Sequence, residues 1–174
     1  MVIWITGLSG SGKTTLARAL RDQIGGRQAV VILDGDAVRA AFRDGLGYAE
    51  ADRRVQIGRM AGLARLLADQ GLTVVVAALY ASDDLLAWNR ANLPGYFEVH
   101  LDCPLDTLAG RDDKGLYARA IRGEAHDVVG VDIPWQPPRH PDLRFDMAAP
   151  RPPSELAREI VAALPARARL RAAS

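Results

Sequence analysis

Apolar residues follow two rhythms along this chain. Unbroken runs at 2–6 (Val-Ile-Trp-Ile-Thr), 29–33, 73–78 and 97–102 have the length and β-branched content of buried strands. Between them, apolar positions recur every three or four residues. Leu16, Ala17, Leu20 and Ile24 form one helical stripe, and Ile57, Met60, Ala61, Ala64, Leu67 and Ala68 form a longer one. The spacing predicts helices over 13–23, 50–70 and 85–92, with Gly71 ending the long one. Residues 111–123 are dense in charge and read as helical in part. The Pro-rich stretch 133–141 reads as loop, 143–146 as a last strand, and 154–164 as a last helix N-capped by Ser154. Strands and helices alternate without a repeat or a linker. That order predicts an α/β fold, one domain over 1–165, with a parallel sheet and helices on both faces. Residues 166–174, with Arg167, Arg169 and Arg171, read as a disordered basic tail.

Composition narrows the partners. A chain of 174 residues fits one domain better than two. Lys and Arg number 22 against 21 Asp and Glu, a net charge of +1. This balance suits neither a general nucleic-acid coat nor a polybasic membrane binder, so no nucleic acid and no membrane are expected as partners. The single cysteine, Cys103, excludes an internal disulfide framework and a cysteine zinc site, and reads as a small buried hydrophobe. No run approaches the roughly 20 apolar residues of a membrane span. The N-terminus lacks the basic start and cleavage site of a signal peptide, so a cytoplasmic protein is expected.

The chemistry begins at the end of the first strand. Gly7-Leu8-Ser9-Gly10-Ser11-Gly12-Lys13-Thr14 matches G-x-x-x-x-G-K-[ST] between a strand and a helix, the setting that motif requires. Its glycines let the backbone curl so that several N–H groups converge on phosphate oxygens at the positive end of a helix. Lys13 would reach the β- and γ-phosphates, and Thr14 would offer its hydroxyl to Mg²⁺. A nucleoside triphosphate is the expected ligand. Asp34-Gly35-Asp36 ends the second strand, near the edge where such folds bind ligands. One carboxylate could serve the metal while the other accepts a proton from an attacking hydroxyl. The alternative is an Asx turn with Asp36 as the N-cap of the next helix. Arg39 falls on the first turn of that helix, placed to grip an anionic substrate. Arg53, Arg54 and Arg59 lie near the start of the long helix, where Arg54, like Arg65, reads as a solvated charge. The run Arg111-Asp112-Asp113-Lys114-Gly115-Leu116-Tyr117 reads as a mobile basic lid, with Gly115 as its hinge. His100, His126 and His140 lack metal-ligand spacing and are given no role.

Together these segments resemble the adenylyl-sulfate (APS) kinase family. The likeness is carried by 7–15 (GLSGSGKTT), 33–39 (LDGDAVR), 46–53 (LGYAEADR), 67–72 (LADQGL) and 111–117 (RDDKGLY). It continues in register through 122–124, 130–132 and 134–141. The resemblance implies a P-loop kinase with a parallel five-stranded sheet, ATP and Mg²⁺, and often a homodimer. Its reaction would place the γ-phosphoryl of ATP on the ribose 3′-hydroxyl of a small-molecule nucleotide, turning adenylyl sulfate into 3′-phosphoadenylyl sulfate. Carried residue by residue, it puts Gly7, Leu8, Ser9, Gly10, Ser11, Gly12, Lys13, Thr14 and Thr15 on ATP, with Arg111 nearby. Lys13, Asp34 and Asp36 form the catalytic centre, and Thr14 and Asp34 serve the metal. Asp36, Arg39, Arg53 and Lys114 face the acceptor, and Tyr48 replaces a Phe that contacts its base.

The acceptor side also departs from the family. Ala77-Ala78-Leu79-Tyr80-Ala81-Ser82-Asp83 stands where a Ser-Phe-Ile-Ser-Pro-aromatic-Arg run is usual. Tyr80 takes the place of a Ser proposed to be phosphorylated, and Asp83 reverses the charge of an Arg. Gln56 replaces an Asn, and Val128 replaces a ring that packs on the adenine of APS. Gln56, Leu79, Tyr80 and Val128 therefore complete the expected acceptor pocket with altered chemistry. A lost ring weakens base stacking by about 1–3 kcal/mol. An acceptor with a smaller base and a less anionic tail would suffer less. The alternative acceptor is cytidine diphosphoramidate, used by a branch of the family in surface-polysaccharide modification. A non-catalytic nucleotide-binding protein and a small-metabolite kinase of the gluconate or shikimate type are lesser alternatives.

Overall fold

Each apolar run becomes the strand it predicts. In the computed structural model, which describes residues 1–26, 28–43, 45–112 and 115–165, β1 is Val2–Thr6 and β2 Val30–Asp34. β3 is Thr73–Ala78, β4 Tyr96–Asp102 and β5 Leu143–Asp146. They form one sheet in the order β2-β3-β1-β4-β5, and every neighbouring pair is parallel. β1 and β3 are buried at every position, as continuous apolar strands must be when helices cover both faces of a sheet. The register matters for function. Thr6 stands beside Ala78 and His100, and Asp34 beside Ala77. The chain therefore leaves β1, β2 and β3 along one edge, where a ligand crevice forms in open parallel sheets.

The helices are α1 (Lys13–Ile24), α2 (Gly35–Phe42), α3 (Glu50–Asp69), α4 (Asp83–Asn92), α5 (Leu105–Gly110), α6 (Leu116–Ile121) and α7 (Pro153–Ala163). The α1 stripe of Leu16, Ala17, Leu20 and Ile24 is buried as expected. α3 ends as Gly71 predicts. With φ of 88°, Gly71 sends its own N–H to the Ala68 carbonyl while Leu72 N–H reaches Leu67, which closes the helix end in a left-handed turn. α4 starts two residues earlier than expected, because Asp83 and Asp84 suit the positive first turn of a helix.

The expected start of the last helix is wrong. Pro152 is the N-cap of α7, Pro153 opens the helix, and Ser154 lies inside it without capping anything. Proline's preset φ and missing N–H make it suited to the first helical position. α7 packs on α1 through buried Leu156, Ala157 and Ile160. Among the described residues no helix is long and apolar enough to cross a membrane. The expected basic tail, 166–174, lies outside the described residues.

Candidate active site

The crevice at the sheet edge is a cleft of about 680 Å³, running from the glycine-rich loop across the ends of β2 and β3 to the segment 126–129. Ser9, Gly10, Gly12, Lys13, Thr14 and Thr15 line one end. Asp34 and Asp36 lie between, and Arg39, Tyr48, Arg53, Gln56, Leu79, Tyr80 and Val128 line the rest. The fold thus gathers segments far apart in the sequence into one concavity. Gly7, Leu8 and Ser11 support the loop from behind. A Cβ on Gly7 would stand 2.6 Å from the Leu101 carbonyl oxygen and 2.8 Å from Ser11 Oγ, so only glycine fits there. Leu8 and Ser11 are buried.

Lys13 Nζ donates to the Leu8 carbonyl at 2.6 Å. Desolvation lowers its pKa from 10.5 to about 8, against the opposing pull of Asp34 and Asp36. A phosphate against Nζ would favour the ammonium form and raise that value again. MgATP binding at pH near 8 should therefore take up a fraction of a proton, and the uptake should fade as the pH is lowered toward 7, where Lys13 is already charged. Calorimetry in buffers of different ionisation enthalpy reads this directly, and a Lys13→Met variant should show no such uptake.

The two aspartates occupy different positions. Asp34 Oδ2 accepts from Thr14 Oγ1 at 2.6 Å, while its Oδ1 accepts from the backbone N–H groups of Asp36 and Ala37 at 3.1 and 3.2 Å. Asp34, not Asp36, is the N-cap of α2. The Asx turn allowed by the sequence is real, but it is made by the first carboxylate. Asp36 is exposed to the cleft, and its carboxylate accepts no hydrogen bond among the described residues. Thr14 Oγ1 and the Asp34 carboxylate are two hard oxygen donors side by side. That set suits Mg²⁺, which keeps several waters and takes its other ligands from phosphates. Among the described residues no group of three or more His, Cys, Asp or Glu could hold a metal.

The far end of the cleft is built around one ring. Tyr48 lies under the guanidinium of Arg39 at 4.6 Å and that of Arg53 at 5.6 Å. Arg39 lies in the last turn of α2, not the first as expected, because the helix is only eight residues long. Its Nη1 donates to the Leu46 and Gly47 carbonyls at 2.9 and 2.5 Å. Arg53 Nη2 donates to the Asp127 carbonyl at 2.5 Å. Burial and the charge of Arg39 lower the Arg53 pKa, and Arg53 Nε is buried without a hydrogen-bond partner. Gln56 Nε2 donates to the Gly35 carbonyl at 3.0 Å, fixing α3 to the start of α2. Tyr80 donates to Glu50 Oε1 at 2.6 Å. Arg54 is more than a solvated charge, since it donates to Ser82 Oγ at 3.2 Å and pairs with Asp84. Asp83 does not line the cleft; it pairs with Arg139 at 2.8 Å on the surface.

The segment read as a lid meets the loop at Tyr117. This buried side chain donates to the Ser9 carbonyl at 2.8 Å, and its own N–H donates to Asp112 Oδ2 at 2.8 Å. Farther on, the Asp132 carboxylate accepts from the N–H groups of Asp127 and Val128, closing the turn that carries Val128. A Tyr117→Phe variant should lose about 1 kcal/mol by leaving the Ser9 carbonyl short of its donor. For a chain of this size that lowers the melting temperature by roughly 2–4 °C, measurable by thermal unfolding.

Arg111 stands on the other side of the loop. It donates to the Met147 and Ala148 carbonyls at 3.0 and 2.9 Å, and lines a second cavity of about 270 Å³ with Gly10, Ser11, Gly12, Thr15 and Pro150. Cys103 is buried beside it, as expected of a small hydrophobe. Lys114, assigned to the acceptor, lies outside the described residues. Arg119, His126 and Asp127 also line the main cleft and were missed. The spacing of Arg119, three residues after Leu116 on a short helix, was the available signal. His100 is buried against Trp135, away from the cleft.

Known proteins resemble this chain in sequence and fold. The adenylylsulphate kinase family model matches residues 1–146. Adenylyl-sulfate kinases of Deinococcus deserti and Chloroflexus aurantiacus are 46% and 45% identical over 145 and 152 residues. Those alignments cover 83% and 84% of this chain, and 80% and 81% of the relatives. The Mycobacterium tuberculosis APS kinase CysC, solved in complex with AMPPNP and APS, superposes with a TM-score of 0.84 at 38% identity, covering 94% of this chain and 96% of that one. With the loop, the paired aspartates and the arginine–tyrosine wall in one cleft, this chain belongs to the adenylylsulphate kinase family.

Proposed function

We propose that this chain transfers the γ-phosphoryl group of ATP to the ribose 3′-hydroxyl of adenylyl sulfate, giving ADP and 3′-phosphoadenylyl sulfate. The observation that carries the reading is the continuity of the cleft. A phosphate-binding loop and an uncommitted carboxylate, Asp36, open directly onto a wall of Arg39, Tyr48 and Arg53. The loop residues and Lys13 bind the triphosphate, and the cavity beside Arg111 takes the nucleoside. Thr14 and Asp34 hold Mg²⁺, which when bound offsets charge on the transferring phosphoryl group. Asp36 orients the acceptor hydroxyl and accepts its proton. The acceptor base lies against Tyr48, and the buried Arg53 Nε supplies a donor to an acceptor oxygen. Gln56, Leu79, Tyr80 and Val128 shape the rest of that pocket, and Lys114 joins it on the strength of the resemblance. A cytoplasmic homodimer belongs to the same reading.

Val128 favours a second acceptor, cytidine diphosphoramidate, because an aliphatic side chain stands where a stacking ring is usual. Asp83 lends that alternative nothing, since it faces away from the cleft and pairs with Arg139. The test is ATP-dependent ADP release with Mg²⁺, offering adenylyl sulfate and cytidine diphosphoramidate in parallel. Turnover preferring adenylyl sulfate supports the main reading. Preference for the cytidine compound replaces it, and nucleotide binding without turnover of either overturns both.

A further inference from the structure

The short helix α6 presents three distinct faces. Tyr117 and Ala120 are buried beneath it, and Ala118 and Ile121 face solvent. Leu116 and Arg119, one turn apart, line the cleft. The other cations of the cleft are engaged with the protein. Lys13 donates to the loop, and Arg39 and Arg53 each hold backbone carbonyls while covering Tyr48. The Arg119 side chain lines the cleft and makes no hydrogen bond or ion pair among the described residues, although its charge acts on Glu124. Arg122, the next arginine on the same segment, shows the contrasting case. It is exposed, does not line the cleft, and grips Glu124 through Nε and Nη2 at 2.8 and 2.9 Å.

We propose that Arg119 reaches from the lid helix to the anionic group of the acceptor nucleotide, adding a binding contact that the motif residues do not provide. The inference rests on the functional reading above. A planar guanidinium suits a phosphate or sulfate oxygen pair, and Leu116 beside it shields the contact from water. Lys13 and the loop already serve the phosphates of ATP, which leaves Arg119 for the acceptor.

The experiment is equilibrium binding of adenylyl sulfate to the full chain in the presence of MgADP, followed by calorimetry and paired with steady-state kinetics. Arg119→Ala should weaken adenylyl sulfate roughly 10- to 100-fold, the range of a charge-assisted hydrogen bond. Its KM for adenylyl sulfate should rise correspondingly, with MgATP affinity unchanged. Arg119→Lys, which keeps the charge and loses the planar fork, should recover part of the loss, and Arg122→Ala should bind like the parent. Unchanged acceptor affinity in Arg119→Ala, or equal weakening of MgATP, overturns the proposal and leaves the functional reading intact. If the parent protein itself binds no adenylyl sulfate beside MgADP, the functional reading fails, and the assignment of Arg119 fails with it.

Discussion

An Asp36→Asn variant should turn over about 10²- to 10⁴-fold more slowly than the parent and bind MgATP with the same affinity, the signature of a lost general base. The expectation follows from what Asp36 does not do. Its carboxylate caps no helix and bridges no loop, so its removal leaves α2 and the loop in place. The substitution removes a charge that helps to raise the Lys13 pKa, so MgATP affinity is compared well below pH 8, where Lys13 stays charged. The amide keeps the shape and can still orient a hydroxyl, but it cannot take the proton. Turnover and ATP binding, measured on the same preparation, separate the two effects. A variant with parental turnover would mean that the hydroxyl loses its proton elsewhere.

Asp34→Ala should fail differently. One carboxylate there accepts from Thr14 and caps α2 through two N–H groups, and in the proposed function it also offers an oxygen to Mg²⁺. Loss of the cap alone costs about 1 kcal/mol. Turnover should fall at least as far as in Asp36→Asn. The concentration of Mg²⁺ needed for half-maximal rate should rise, and thermal unfolding should begin earlier. Asp36→Asn should change neither of those last two measurements. If both variants lose turnover alone, the division of labour between the carboxylates is wrong.

Local features of the site were legible in the sequence. The loop 7–14 could be read because its signal is contiguous, and a strand, three glycines and a lysine need no distant partner to be understood. The sheet was legible because buried parallel strands leave unbroken apolar runs. Contacts between distant segments were not. Arg53 and the Asp127 carbonyl are 74 residues apart, and Tyr117 is 108 residues from Ser9. Nothing in local periodicity couples such positions. Asp34 and Asp36 were recognised as a pair, yet their roles depended on which carboxylate turned back to cap α2, a choice set by backbone geometry at the end of β2. Arg54 looked solvated because its partners, Ser82 and Asp84, belong to another helix start. Ser154 was a sound cap by residue type, but two prolines claimed the turn before it.

In the proposed function, the arginine–tyrosine wall makes the acceptor site a point of thermodynamic linkage. Arg53 touches Tyr48 on one side and holds the Asp127 carbonyl on the other, while Arg39 holds the loop at Leu46 and Gly47. A ligand that engages Arg53 therefore also perturbs the tether on residue 127 and the Asp132-closed turn beyond it. Reciprocity then applies: whatever free energy the acceptor contributes to the position of that turn, the turn returns to acceptor affinity by the same factor. Changes far from the pocket, in the turn closed by Asp132, would tune acceptor affinity without touching the nucleotide.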